Sequence, residues 1–321
     1  MAVLPNFFLV GATKAGTTSL YHYLDQHPQI YMSPIKEPCY FASEVRPSSF
    51  ADQFQEEVRE SLRSIQKYLS GPMRERRFSG LVLEWDDYLK LYQNHQGEPA
   101  IGEASVCYLW SKTAAANIAS RIPGARIIVI LRDPADRAYS QYLDSLTGGR
   151  TLKSFREHVE LGMARTDPRF DILHPFLELG SYHDQVKRYL ECFPKENIRI
   201  YWYEDYRGDI AKILPDVFRF LNVDAAFVPD ASRKHRAPRV PKWYKLSYFL
   251  KQKGLWQPLR RSIPPVFRPA IRNAVLRKRE SLVMDPRDRE LLIGYYREDI
   301  RKLSTLLDRD LSPWLEVNRH G

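Results

Sequence analysis

Residues 7–24, FFLVGATKAGTTSLYHYL, decide the fold. The apolar run from Phe7 to Val10 predicts a buried strand that ends at Gly11, and a helix is predicted from Gly16 to about Asp25. A strand, a glycine-bearing turn and a helix N-terminus together aim several backbone N–H groups at one anion. Gly11 and Gly16 permit close backbone approach, Ala15 lies in the turn, and Thr17, Thr18 and Ser19 add hydroxyl donors in the first helical turn. Loops that cradle nucleoside triphosphates carry a Lys directly after the second Gly. Here Thr17 fills that slot and Lys14 lies inside the turn. The plain alternative is a strand–turn–helix with a solvated lysine.

The next informative stretch is RIIVILRDPADRAYSQY, 126–142. Arg126–Leu131 predicts a buried strand, and Asp133 with Pro134 starts a helix in which Ser140 lies about two turns along. Arg132 at the strand end suits bidentate recognition of a phosphate, and Ser140 offers a hydroxyl donor to the same group. The bland reading pairs Arg132 with Asp133 or Asp136.

Further strands are predicted at Gln29–Met32, Ala100–Ala104 and Asn197–Tyr203, and helices at Ser111–Ile122, Tyr182–Phe193 and Pro286 to about Leu307. The last is expected to carry Leu292, Tyr295, Asp299, Leu303 and Leu306 on related faces. Alternating strands and helices predict a single α/β domain over 1–321, a central parallel sheet flanked by helices, with a phosphate-binding strand–loop–helix. Ligands of such sheets bind beyond the carboxyl ends of the strands, where Gly11 and Arg132 lie. Residues 44–80, with Arg74, Arg76 and Arg77 clustered, are expected to form a helical insertion at the rim.

The chain has 321 residues, 44% of them hydrophobic, and a net charge of +10. From Ala231 to Arg279 there are fifteen Lys or Arg and no acidic residue, so the whole excess belongs to one segment. That segment, 231–280, is expected to meet an anion on the cofactor or acceptor side. Within it, 241–261 interleaves aromatics with Lys and Arg and offers a peripheral membrane contact. The three cysteines are odd in number and widely spaced, which predicts free thiols in a reducing compartment. With no apolar run of membrane-span length and no leader pattern, a cytoplasmic protein is expected.

Both motifs resemble those of sulfotransferases that use 3′-phosphoadenosine 5′-phosphosulfate (PAPS). GATKAGTTSLYHYLDQHPQI resembles the family's 5′-phosphosulfate loop, and ILRDPADRAYSQY its 3′-phosphate motif. KEPCYF at 36–41, GEASVCYL at 102–109, GSYHDQVKRYLECFP at 180–194 and DRDLSPWL at 308–315 are similar to the bacterial and heparan-sulfate-type branch. The resemblance implies that Lys14 contacts the sulfate and the bridging oxygen, and that Ala15, Gly16, Thr17, Thr18 and Ser19 hold the 5′-phosphate. It implies that Arg132 and Ser140 bind the 3′-phosphate, joined by Lys234, His235 and Arg236 from a late basic loop. Glu37 is implied as the catalytic base, with Lys36 beside it to steer the acceptor or keep Glu37 ionised. Glu103, Ser105 and Tyr108 are implied acceptor-side residues, although Ala104 stands where the heparan-type pattern has Lys. Tyr182 borders either the cofactor or the core, and His22 and His27 take helix-face and turn roles.

The implied reaction moves a sulfuryl group from PAPS to an acceptor hydroxyl, releasing PAP, without metal. The implied acceptor is a carbohydrate or glycoconjugate, with an anionic glycan or lipid also open; no nucleic acid is expected. Two other readings stay open: a phosphate-loop kinase or ATPase, and a protein that binds anionic polymers or membrane surfaces.

Overall fold

A computed structural model describes residues 3–230, 245, 248–250 and 283–318. Lys234, His235 and Arg236, and nearly all of the basic 231–280 segment with its 241–261 run, lie outside the described residues.

The chain opens with β1 (Phe7–Gly11) and α1 (Thr17–Leu24). β2 (Ile30–Met32), β3 (Ile35–Lys36), α2 (Asp52–Leu69) and β4 (Arg77–Phe78) follow. Then come α3 (Trp85–Lys90), β5 (Ala100–Ala104), α4 (Cys107–Trp110) and α5 (Ala114–Arg121). β6 (Arg126–Leu131), α6 (Pro134–Thr147), α7 (Phe155–Ala164) and α8 (Tyr182–Cys192) continue the chain. It closes with β7 (Ile198–Trp202), α9 (Tyr203–Gly208), α10 (Ile210–Phe220) and α11 (Pro286–Leu307).

Among the described residues, five strands form a parallel sheet in the order β2-β5-β1-β6-β7. All five residues of β1 are buried, as a strand covered on both faces requires. Close packing sets local identity: a Cβ on Gly102 of β5 would lie 2.3 Å from the Phe7 ring. β2 and β5 lie on one side of β1 and β6 and β7 on the other, so the crevice above β1 is the topological switch point. The expected α/β class therefore holds, and the 44–80 insertion is helical through α2. A separate two-stranded sheet, β3 with β4, flanks the main one. No described helix is long and apolar enough to cross a membrane.

Two predicted elements shift. The helix expected over Ser111–Ile122 starts only at Ala114, as α5; the separate α4 precedes it, and Glu44 accepts from Lys112 N–H and Thr113 N–H between the two. On α11 the buried stripe runs through Leu292, Tyr296, Ile300 and Leu303, while Tyr295 is 43% exposed. Arg289 of α11 anchors that stripe, reaching Asp133 at 2.6 Å and Asp136 at 3.0 Å.

Candidate functional site

The turn after β1 is built around residues in unusual backbone conformations. Gly16 has φ 88° and Lys14 φ 66°. A Cβ on Gly16 would meet the Tyr206 ring at 2.9 Å, so both its dihedral and its neighbours call for glycine. The first helical hydrogen bond of α1 runs from Leu20 N–H to the Gly16 carbonyl at 3.1 Å. The amides of Thr17 and Thr18 lie ahead of it, where helix N–H groups have no intrahelical acceptor. Ala15 and Thr17 are buried, and Thr18 is half-buried. Ser19 Oγ is already engaged, donating to the Gly16 carbonyl at 2.8 Å and lying 2.7 Å from Tyr206 Oη.

Arg132 turns to this loop rather than to its acidic neighbours, which Arg289 takes. Its Nη1 donates to the Lys14 carbonyl at 2.8 Å, and its guanidinium stacks 4.4 Å over the Tyr203 ring. Its Nε is buried without a hydrogen-bond acceptor among the described residues. Asp133 caps α6, accepting from Ala135 N–H at 2.9 Å and Asp136 N–H at 3.2 Å, so the helix start holds Arg132 at the strand end. The Lys14 ammonium pairs with Asp144 of α6. Ser140 lies one helical turn before Asp144, on the same face, and is almost fully buried. The loop, the end of β6 and this face of α6 therefore meet.

Glu37 sits next door. Its N–H donates to the Ala104 carbonyl at the end of β5 at 2.7 Å, and its backbone has φ 68°. Lys36 Nζ contacts Glu37 Oε1 at 2.5 Å and is only 3% exposed, while Glu37 is 31% exposed. Lys36 is therefore placed to hold Glu37. Two further bonds stitch the segment down: Cys39 N–H to Ser105 Oγ at 3.1 Å and Phe41 N–H to Tyr108 Oη at 3.2 Å.

Glu103, Ser105 and Tyr108, expected on the acceptor side, are all fully buried. Ser105 and Tyr108 position the Glu37 segment. Glu103 points into a tyrosine cluster, with Tyr92 Oη 3.4 Å from its Oε2 and 2.9 Å from Tyr88 Oη. Burial pushes the Glu103 carboxyl up to about 7, against the pull of the surrounding Tyr and Ser hydroxyls. Tyr182 is likewise fully buried. His27 supports its turn, accepting from Gln29 N–H at 3.0 Å, and His22 lies on α1 with its ring 5.2 Å from that of Phe78.

Sequence reading missed Asp144 and Tyr203. Tyr203 follows directly on β7, so its place at a strand end was a usable signal; Asp144 carries none.

The sulfotransferase domain family model matches residues 4–257. Human carbohydrate sulfotransferase 15 is 27% identical over 274 residues, which cover 68% of this chain and 44% of that protein. Human bifunctional heparan sulfate N-deacetylase/N-sulfotransferase 3 is 28% identical over 325 residues, covering 97% of this chain and 31% of that protein. The chain thus spans less than half the length of these relatives. A crystal structure of a sulfotransferase from Alicyclobacillus acidocaldarius superposes with a TM-score of 0.70 at 28% identity, covering 98% of this chain and 100% of the other.

Proposed function

This chain belongs to the sulfotransferase domain family, and from that premise we propose that it transfers a sulfuryl group from PAPS to a hydroxyl of a carbohydrate acceptor, with Glu37 as general base. The observation that carries the reading is the convergence of Lys14 and Arg132 on one loop, with a buried Arg132 Nε that has no acceptor among the described residues. A buried donor without a partner is costly unless a ligand satisfies it, and an anion does so. The residues present therefore fit a ligand carrying a phosphosulfate and a second phosphate.

When bound, PAPS supplies an activated sulfuryl group on its 5′-phosphate. Thr17 and Thr18 offer amides and hydroxyls to that phosphate, and the α1 N-terminus adds its dipole. Arg132 and Ser140 are assigned to the 3′-phosphate, with Lys234, His235 and Arg236 as further cations. The Glu37 carboxylate takes the proton of the acceptor hydroxyl as that oxygen bonds to sulfur. Lys14 Nζ neutralises the charge that grows on the bridging oxygen as its bond to sulfur breaks. Lys36 Nζ, buried against Glu37 Oε1, fixes the carboxylate that receives the proton. The carbohydrate acceptor is supported by the names of the relatives. A cytoplasmic location belongs to the same proposal, supported by the three free cysteines.

The test pairs PAP calorimetry with transfer of labelled sulfuryl groups from PAPS to desulfated glycosaminoglycan oligosaccharides. Lys14→Ala is expected to lose transfer and most PAP affinity, and Glu37→Ala to lose transfer while keeping PAP affinity. Full activity in Glu37→Ala removes it as the base, and a wild-type protein that does not bind PAP overturns the co-substrate.

A further inference from the structure

Phe78 is 51% exposed, although it is a large aromatic side chain held in a strand. β4 pairs in parallel with β3, with Phe78 in register with Lys36 and Arg77 with Ile35. Residues opposite one another in a parallel ladder project from the same face of the sheet. The Phe78 ring therefore stands on the face that carries the Lys36 side chain, and the Lys36 ammonium reaches the Glu37 carboxylate at 2.5 Å. Ser79 N–H donates to the Lys36 carbonyl at 2.8 Å, which fixes the strand beside the Glu37 segment.

Among the described residues the ring's aromatic neighbours both lie on α1. His22 lies 5.2 Å away and tilted, and Tyr21 lies 6.2 Å away edge-on, both on α1, the helix that starts at the Lys14 loop. So one exposed aromatic surface is anchored both to the helix of the anion loop and to the strand preceding Glu37. Exposing half a Phe forgoes part of the roughly 1.5–3 kcal/mol that full burial of such a side chain gives.

We propose that Phe78, backed by His22, is the platform on which the acceptor sugar stacks, placing the hydroxyl-bearing pyranose beside Glu37. This rests on the sulfuryl-transfer reading above and names the chemistry of its acceptor subsite. An aromatic face carries negative charge density and attracts the weakly positive C–H edge of a partner. A pyranose presents axial C–H groups on one face and hydroxyls around its rim, so one open ring is matched by one face while the rim stays hydrated. A flat aromatic acceptor is better served by an enclosed apolar slot. Here the Lys36 side chain on the ring's sheet face leads to the partly exposed Glu37 carboxylate, a polar neighbour that suits a polyol.

The probes are chondroitin and heparosan tetrasaccharides, assayed as acceptors with PAPS and as ligands of the PAP complex by calorimetry. Phe78→Ala and Phe78→Leu are expected to raise the acceptor KM and the tetrasaccharide Kd about five- to tenfold. Phe78→Tyr and Phe78→Trp are expected to hold both near wild type, with PAP affinity unchanged in all four. Leu performing as well as Phe overturns the inference, because an apolar cover would then suffice. A wild-type PAP complex that binds neither tetrasaccharide, or that turns over a simple phenol instead, also overturns it. Those results leave the sulfuryl-transfer reading standing, since that fails separately, through loss of PAP binding.

Discussion

Replacing Glu103 with Gln should make the protein's stability less sensitive to pH between about 4.5 and 7. Glu103 is fully buried at the end of β5, one oxygen near Tyr92 and the other without a partner among the described residues. Its ordinary value of 4.5 rises to about 7 because burial penalises the charged form. Below pH 4.5 the carboxyl is protonated whether the chain is folded or unfolded, so its contribution is fully present. Between the two values the folded state holds a proton that the unfolded state has released, and stability falls as pH rises. Above about pH 7 the loss is complete and amounts to about 3 kcal/mol at 1.36 kcal/mol per pH unit. Glutamine does not titrate. The stability of Glu103→Gln minus that of wild type should therefore climb by about 3 kcal/mol between pH 4.5 and pH 8, whatever its starting value. Asp299, raised to about 6 chiefly by burial, acts in the same direction in both proteins and drops out of the difference. Urea unfolding followed by fluorescence across this range gives the difference directly, provided the slope against urea is the same for both proteins. A difference flat with pH would refute the reasoning: it would mean that Glu103 is charged, or neutral, to the same extent in the folded and unfolded chains.

Asp144→Asn should tighten PAP binding about two- to fivefold at low salt, because an arriving anion no longer has to displace a half-exposed carboxylate from Lys14. Calorimetry at low and high salt should show the gap narrowing as salt screens the pair; weaker binding in the variant would mean that Asp144 positions Lys14. Arg132→Ala should raise the KM for PAPS at least about tenfold, the scale of a lost hydrogen bond to a charged group. Arg132→Lys should recover little of it, since Lys reproduces neither the planar fork nor the stack on Tyr203. An unchanged KM in Arg132→Ala would sink the 3′-phosphate assignment.

The parts of the fold that were legible are those whose cause is local. β1, β5 and β6 are short apolar runs because a parallel strand is covered on both faces, and their predicted bounds match those observed. Asp133 and Pro134 mark the start of α6 by chemistry confined to one helical turn. β3 and β4 were not legible. Each has two residues, and what makes them strands is a ladder across about forty residues of chain. The same limit hides the partners of the site residues. Lys14 meets Asp144 at a separation of 130 residues, and Arg289 meets Asp133 at 156. Helical periodicity says which face of α6 or α11 is apolar, not which charge the other elements bring to it. Burial of Glu103 was hidden for a related reason. At a strand end the alternation of faces places one side chain over the site and the next beneath it, and only the packing of Tyr88 of α3 and Tyr92 just after it decides which.

Lys14 and Glu37 share a feature that no residue type announces. Both hold left-handed backbones, with φ 66° and 68°, in side chains that pay roughly 1–2 kcal/mol for that conformation. Such a conformation persists where the surroundings over-determine it. At Lys14 the Arg132 guanidinium clamps the carbonyl, and at Glu37 the Ala104 carbonyl takes the amide while Ser105 and Tyr108 hold the residues that follow. The two clamps come from the ends of β6 and β5, the two neighbours of β1 in the sheet. The cation and the carboxylate that the proposed function assigns to the departing and the attacking oxygen are thus each fixed to a strand end flanking the same crevice. That arrangement ties their spacing to the rigid register of the sheet rather than to the loops that carry them.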